Sequence, residues 1–369
     1  MPAEELRLKS VSVVPARGPA LAPLDLDVAP GEHLGLVEDG DQGGSALLAL
    51  AAGTLRPDIG YVLLDGVDVT ARPPAARSVR LVPRGLGLFP ALDVAANVAF
   101  ALDARATPPI ARRARLDEML ARFDLVDLRR AAVESLDPFA RLRVALARAV
   151  AIEPAVLLLE APFDGLTGAT RRAARALLAD LRRDLGASVL ELGGEPADLL
   201  ADVDRLGVLH GGRLIQIDTP DRLWSSPVDL GVARLLGEVN VVTGRLARRL
   251  DGVVEVDTAL GRLRATALDD LAEGTPVAVA IRPERIGLGG ENPRLHPTWN
   301  RLDADFLERR LEGPTLRLVF AVGGERLTLR RPDRGLRDLV LAGPTTLIFP
   351  AEDARVFAAR PNCEDPARG

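Results

Sequence analysis

Residues 37–53 read VEDGDQGGSALLALAAG, a Gly-rich turn that follows the apolar residues 34–37 and opens into an apolar segment. Strand, glycine-rich turn and helix in that order make the layout of a loop that cradles phosphate on backbone N–H groups. A working loop of this kind reads G-x-x-x-x-G-K followed by Ser or Thr, with the lysine reaching the phosphates and the hydroxyl meeting Mg²⁺. Counting back from Gly53 sets the pattern on residues 38–45. Glu38 stands at the first glycine, Gly43 keeps the second, Gly44 replaces the lysine and Ser45 keeps the hydroxyl. Asp39 and Asp41 add two further carboxylates between them. A carboxylate ~4 Å from a phosphate charge opposes it by about 4 kcal/mol at an effective dielectric near 20. The helix N-terminus returns only roughly 0.3–1 kcal/mol, so repulsion wins unless Mg²⁺ bridges the charges. Lys9 is the only lysine in the chain, and none exists elsewhere to serve the loop. The expectation is a loop whose fold is kept and whose chemistry has been removed.

The elements that hold such a loop are legible around it. "LRLKSVSVV", "LAPLDLDV", "HLGLV" and "GYVLLDG" read as strands, and residues 45–52 as the helix after the loop. Leu116, Met119, Leu120 and Phe123 recur at helical spacing, and "RLRVALARAV" at 141–150 is a second helix. "AVLLLE" at 155–160 is a fully apolar strand of the kind buried in a parallel sheet. Leu177, Leu178, Leu181 and Leu185 form another helical stripe, and "SVLEL" and "RLGVLHGGRLIQI" resume strands. This alternation predicts an α/β domain with a largely parallel core. Near Gly237 the pattern changes to short strands with Gly, Asp and Pro turns up to Phe357, which predicts a small β-barrel domain in two barrel-like halves. "GGENPRLHPTWN" at 289–300 reads as their link, and "RPNCEDPARG" as a disordered tail.

At 369 residues the chain has room for two domains or three, and its 47% hydrophobic and 27% charged residues are those of a globular protein. A net charge of -5 argues against nucleic acid as a partner. Cys363 is the single cysteine, which rules out a disulfide framework within the chain. No N-terminal apolar region suggests a signal peptide, and no run reaches the ~20 apolar residues of a membrane span. The chain is expected in the cytoplasm, meeting a membrane only through partners.

Five segments in one order carry a resemblance. "LLDGVDVTARPPAARSV", "LGLFPALDVAANVAFAL", "RVALARAV", "GRLIQIDTPDRLWSSPVDLGVARLLGEVN" and "IRPERIGL" resemble framework stretches of the ATP-binding subunits of ABC importers with a C-terminal regulatory barrel, as in polyamine, ferric-iron, sulfate and maltose-type systems. The resemblance runs from about residue 6 to 357. It implies an α/β P-loop NTPase-like ABC cassette over 1–236, with a helical subdomain at about 85–152. An all-β OB/TOBE-like regulatory barrel follows over 237–358, with the tail at 359–369.

The resemblance also implies where the family's site should lie, and each position can be read here. The glutamine-loop position is Arg84. The signature LSGGQ becomes "LDPFA", with Asp137 and Pro138 in it, and Pro138 lacks an N–H that a phosphate would need. The buried-strand motif ends in Glu160 and Ala161, so a carboxylate for a metal is kept and the general base is lost. The switch-histidine position is Gly194, and His33, His210 and His296 fall in other elements. Where the family stacks adenine on an aromatic residue, "SVVPARGPA" offers none.

Gly43, Ser45 and Glu160 are the residual nucleotide pocket. As ordinary structure they are a turn glycine, a helix cap and a strand-end carboxylate. Weak ATP–Mg²⁺ binding is the most that they would support. Arg84, Phe89 and Pro90 lie where the family meets its permeases. Arg84 is offered an anion, Glu160 or a loop carboxylate as a partner, or none. Arg282, Pro283 and Glu284 are expected to be structural in the barrel. The expected function is an importer cassette that has lost ATPase activity, peripheral to the inner membrane. Its partners are permease subunits and a second cassette, in a homo- or heterodimer. The alternatives are a regulatory or adaptor protein working through its barrel, and a hydrolysing subunit with a rewired site.

Overall fold

Short apolar runs become two sheets in the first part of the chain. In the computed structural model, residues 4–250, 252–267, 270–289, 299–333 and 344–359 are described. Strands β1 (Leu6–Val13), β2 (Leu21–Val28), β4 (Ile59–Leu64) and β5 (Val67–Asp68) form an antiparallel sheet in the order β2-β1-β4-β5. Leu6 pairs with Val28 on one side and Leu64 on the other. β3 (His33–Glu38), β6 (Val79–Val82), β7 (Val156–Glu160), β8 (Ser188–Leu192), β9 (Arg205–His210) and β10 (Arg213–Asp218) form the second sheet, in the order β10-β9-β3-β8-β7-β6. All its pairs are parallel except β10 with β9. The nearly unbroken apolar β7 lies between β8 and β6 and is buried, as a parallel strand with two covered faces must be.

Helix α1 (Gly44–Ala52) packs its leucines into the core between the sheets, where Leu47, Leu48 and Leu50 join Leu34, Leu36 and Leu158. Arg77 holds its C-terminal end. The buried guanidinium donates to the carbonyls of Leu50 and Ala51 at 2.8 and 2.9 Å and to those of Arg72 and Thr70 at 3.1 Å each. A cation there meets the negative end of the helix dipole.

α2 (Val94–Ala104), α3 (Pro109–Arg122) and α4 (Pro138–Val150) form the helical region. Leu116, Met119, Leu120 and Phe123, read above as one face, are all buried in its core. α5 (Gly168–Leu185) buries Leu178 and Leu181, and α6 (Pro196–Asp202) follows β8.

The chain divides into two units, Met1–Leu223 and Trp224–Gly369, and α7 (Pro220–Ser225) runs across the division. In the second unit, α8 (Leu230–Leu236) precedes β11 (Asn240–Leu250), β12 (Val253–Thr258), β13 (Gly261–Ala267) and β14 (Pro276–Ile281). With β20 (Ala354–Ala358) they close a barrel in the order β11-β12-β13-β20-β14. β15 (Gly287–Leu288), β16 (Asn300–Glu312), β17 (Thr315–Val322), β18 (Glu325–Pro332) and β19 (Pro344–Phe349) form a five-stranded sheet in the order β15-β19-β16-β17-β18. The second half is thus an open sheet. It shares one core with the barrel, built from residues such as Val256, Val279, Phe320 and Phe349. Arg282 is structural here. Its Nη1 donates to the carbonyls of Ala233 and Gly237 at the end of α8, at 2.9 and 3.0 Å, and its guanidinium lies 3.9 Å over Trp224. Burial pushes its pKa down to about 10.

Residues 290–298 of the expected link, residues 360–369 of the expected tail, and with them His296 and Cys363, lie outside the described residues. Among the described residues no helix is long and apolar enough to cross a membrane.

Candidate functional site

The loop sits where β3 ends and α1 begins. Gly43 caps the helix at φ 103° in the left-handed region, which glycine enters without a Cβ penalty. Its position is therefore accounted for by backbone geometry alone. Three of the loop's N–H groups, those of Gln42, Gly43 and Gly44, already have acceptors from the chain itself. Glu38 Oε2 accepts from Gln42 N at 3.1 Å and from Gly44 N at 3.0 Å. Asp41 Oδ1 accepts from Gly43 N at 3.3 Å. The carboxylate that replaces the first glycine of the pattern thus folds back onto the donors that the pattern provides. Burial pushes the Glu38 carboxyl up most strongly. The two backbone N–H bonds pull it down, Asp41 beside it pushes it up, and Arg84 pulls it down, leaving it raised.

Across the loop, Ser45 Oγ donates to Glu160 Oε1 at 2.7 Å. Glu160 Oε2 accepts from the backbone N of Arg84 at 3.3 Å, and the Arg84 side chain comes within 4.0 Å of Oε1. Arg84 Nη1 also meets Asp164 Oδ2 at 3.1 Å, an exposed pair of small energetic weight. The two polar side chains the pattern retains, Ser45 and Glu160, are therefore bound to each other. A guanidinium stands beside them where the chemistry would call for a metal. Of the partners offered for Arg84, Glu160 lies 4.0 Å away, and the exposed side chain also meets Asp164.

Position 44 is crowded as well. A Cβ built on Gly44 would lie 2.8 Å from Leu192 Cδ2 and 2.9 Å from Glu38 Oε2. Leu192 is fully buried at the end of β8. That strand end is tied to its neighbours, because Ala161 N donates to Leu192 O at 2.8 Å and Gly193 N to Leu36 O at 2.9 Å. Ala161 and Gly194 lie at these strand ends and present no titratable side chain. Among the described residues no group of three or more His, Cys, Asp or Glu could hold a metal ion. Glu38 thus takes the N–H groups of Gln42 and Gly44, and the Leu192 methyl groups crowd position 44, where the pattern places its lysine.

Asp137 and Pro138 belong to a different place in the unit. Asp137 caps α4, accepting from Ala140 N at 2.8 Å, and Pro138 is its first residue, where a missing N–H costs nothing. No hydrogen bond or ion pair links either residue to the loop among the described residues. Phe89 and Pro90 lie on the turn before α2. Phe89 is 36% exposed, stacks on Phe100 with centroids 4.4 Å apart and lies under Arg148. Pro90 is exposed beside it.

The turn is fixed by Asn97, a fully buried residue not singled out from the sequence. Its side chain accepts from Phe89 N at 2.9 Å and donates to the carbonyls of Phe89, Leu92 and Asp93. An asparagine in the apolar run "VAANVAFAL" was the available signal. Leu192 and Asp164 were also missed, and no local pattern marks them.

A model of the ABC transporter family matches residues 21–164. The spermidine/putrescine import ATP-binding protein PotA 1 of Pseudomonas aeruginosa is 35% identical over 360 residues, covering 93% of this chain and 93% of that protein. The sulfate/thiosulfate import ATP-binding protein CysA of Caulobacter vibrioides is 35% identical over 293 residues, covering 77% of this chain and 82% of that protein. Among solved structures, cbiO1 from Clostridium perfringens, part of the ABC transporter complex cbiONQ, shares the fold with a TM-score of 0.54 at 22% identity, over 60% of this chain and 90% of its own. By its fold, its loop and these relatives, the chain belongs to the ABC transporter family, among the ATP-binding subunits of importers.

Proposed function

We propose that this chain is an importer cassette that does not itself hydrolyse ATP and acts as the structural or regulatory half of a transporter. One observation carries the reading: the polar groups kept in the site, Ser45 and Glu160, are held by each other and by Arg84. Nothing remains to activate a water. Ala161 occupies the base position, Gly194 the switch position, and the chain has no second lysine. Gly43, Ser45 and Glu160 are then a remnant that maintains the strand–loop–helix geometry.

The surface around Phe89, Pro90 and Arg84 is the part offered to permease subunits. Phe89 and Phe100 are exposed aromatics in contact with each other, and Asn97 and Arg148 hold Phe89. The second cassette carries the turnover. In the resembling family a phosphate loop closes against the partner's signature, and here that signature helix is capped by its own Asp137. A nucleotide held by the partner would meet a carboxylate and a proline at this face, which makes its turnover slow.

The test is co-purification with the permeases and the second cassette, followed by turnover measurement on the complex. Replacing the catalytic base of the second cassette is expected to abolish all turnover. Turnover that persists would mean this chain hydrolyses ATP, and a failure to co-purify would favour an adaptor role through the barrel.

A further inference from the structure

Two side chains fill the space that a nucleotide's phosphates and a loop lysine would need, and they come from different sides of the loop. Glu38, from the end of β3, sets one carboxylate oxygen on the N–H groups of Gln42 and Gly44. Leu192, from the end of β8, places both its methyl groups within 3 Å of where a Cβ at position 44 would stand. Loss of a lysine by itself would leave open space at position 44 and free N–H groups at Gln42 and Gly44, whereas here both donors are taken by Glu38 and the space is crowded by Leu192.

We propose that Glu38 and Leu192 are the residues that determine what this site excludes. Glu38 is a tethered anion that competes with the phosphate end of a polyphosphate for the same two donors. Leu192 shuts the route by which any side chain at position 44 could reach a phosphate. This rests on the reading of the chain as non-hydrolysing and adds that exclusion is an internal competition, reversible by removing the occupants. It follows that restoring lysine alone does not restore binding, because its first carbon meets the Leu192 methyl groups and Glu38 still holds the two donors. Leu192→Val removes both Cδ methyl groups that crowd position 44 and introduces a β-branched apolar residue suited to a strand.

The experiment titrates the full chain with sodium tripolyphosphate and with ATP–Mg²⁺ by calorimetry, alongside melting curves and a phosphate-release assay. The proteins are the wild type, E38Q, E38A, G44K and the triple variant E38A/G44K/L192V. The wild type is expected to show no saturable heat. E38Q keeps the shape of the side chain without its charge and should gain measurable tripolyphosphate binding, and E38A should bind more tightly still. G44K alone should melt below the wild type and bind nothing. The triple variant should bind ATP–Mg²⁺ at least tenfold more tightly than E38A, without phosphate release.

G44K binding as tightly as the triple variant would overturn the role of Leu192. E38A and E38Q melting like the wild type and binding no more tripolyphosphate than it does would overturn the competition. Should the triple variant fail to fold, the E38Q and E38A titrations decide. ATP turnover by the wild type would sink the functional reading instead, and is scored separately from binding by the variants.

Discussion

Glu38 lies under opposed pressures, and the balance makes a prediction. Its carboxyl is raised because burial and Asp41 outweigh the two N–H bonds and Arg84. A carboxyl whose pKa is higher in the fold than in the unfolded chain adds stability at low pH and loses it as pH rises through the folded value. At neutral pH the ionised group is therefore a liability that Glu38→Gln removes. The gain in melting temperature of E38Q over the wild type is expected to be largest at neutral pH and to shrink as pH falls toward glutamate's ordinary 4.5. A gap independent of pH would contradict it. Arg77 shows the opposite case, a buried cation fully used, with four carbonyls as partners. Arg77→Ala strands those acceptors and is expected to cost on the order of 3 kcal/mol in urea unfolding. A loss within experimental error would mean that water replaces the guanidinium. At this scale the sequence made Glu38, Gly44, Ser45 and Glu160 visible, because each falls on a pattern with a fixed chemical job. Leu192, Asp164 and Arg77 could not be found that way, since they act from other elements and their types are ordinary where they stand.

Elements were more legible than contacts. The apolar spacing of α3 and the unbroken run of β7 announce their structures, because burial of a face or of a whole strand constrains residue type along the chain. The start of α4 was legible as a position, and the structure adds its part as a helix start. Read for phosphate binding, "LDPFA" is a damaged signature, and read as a helix start it is well made. Asp137 accepts the N–H of Ala140 and Pro138 takes the first helical position. Asp137→Ala is expected to cost about 1 kcal/mol, the usual worth of an N-cap, measured by chemical denaturation. Asp137→Ser should recover most of that loss, and an unchanged midpoint in the alanine variant would show the cap to be idle. The second β region illustrates a limit of local pattern. Strand positions were readable from turns and alternation, but a closed barrel and an open sheet have the same local signature. Only pairing distinguishes them, and the parallel contact of β13 with β20 joins residues almost ninety positions apart.

The whole molecule carries separate hydrophobic cores in its two units, one set around α1 and α4 and another in the barrel and its adjoining sheet. Units with their own cores unfold as their own cooperative transitions. Scanning calorimetry is expected to resolve two transitions, with Arg77→Ala lowering one and leaving the other in place. A single transition that shifts as a whole would contradict independent cores. The same scale holds the central claim, that a member of an ATP-binding family keeps the fold of its nucleotide site while filling it from within. The measurement that tests this most directly is a calorimetric titration of ATP–Mg²⁺ into the wild-type chain, with phosphate release followed on the same sample. No saturable heat up to millimolar nucleotide and no phosphate release is the predicted result, whereas saturable binding accompanied by phosphate release would contradict the account.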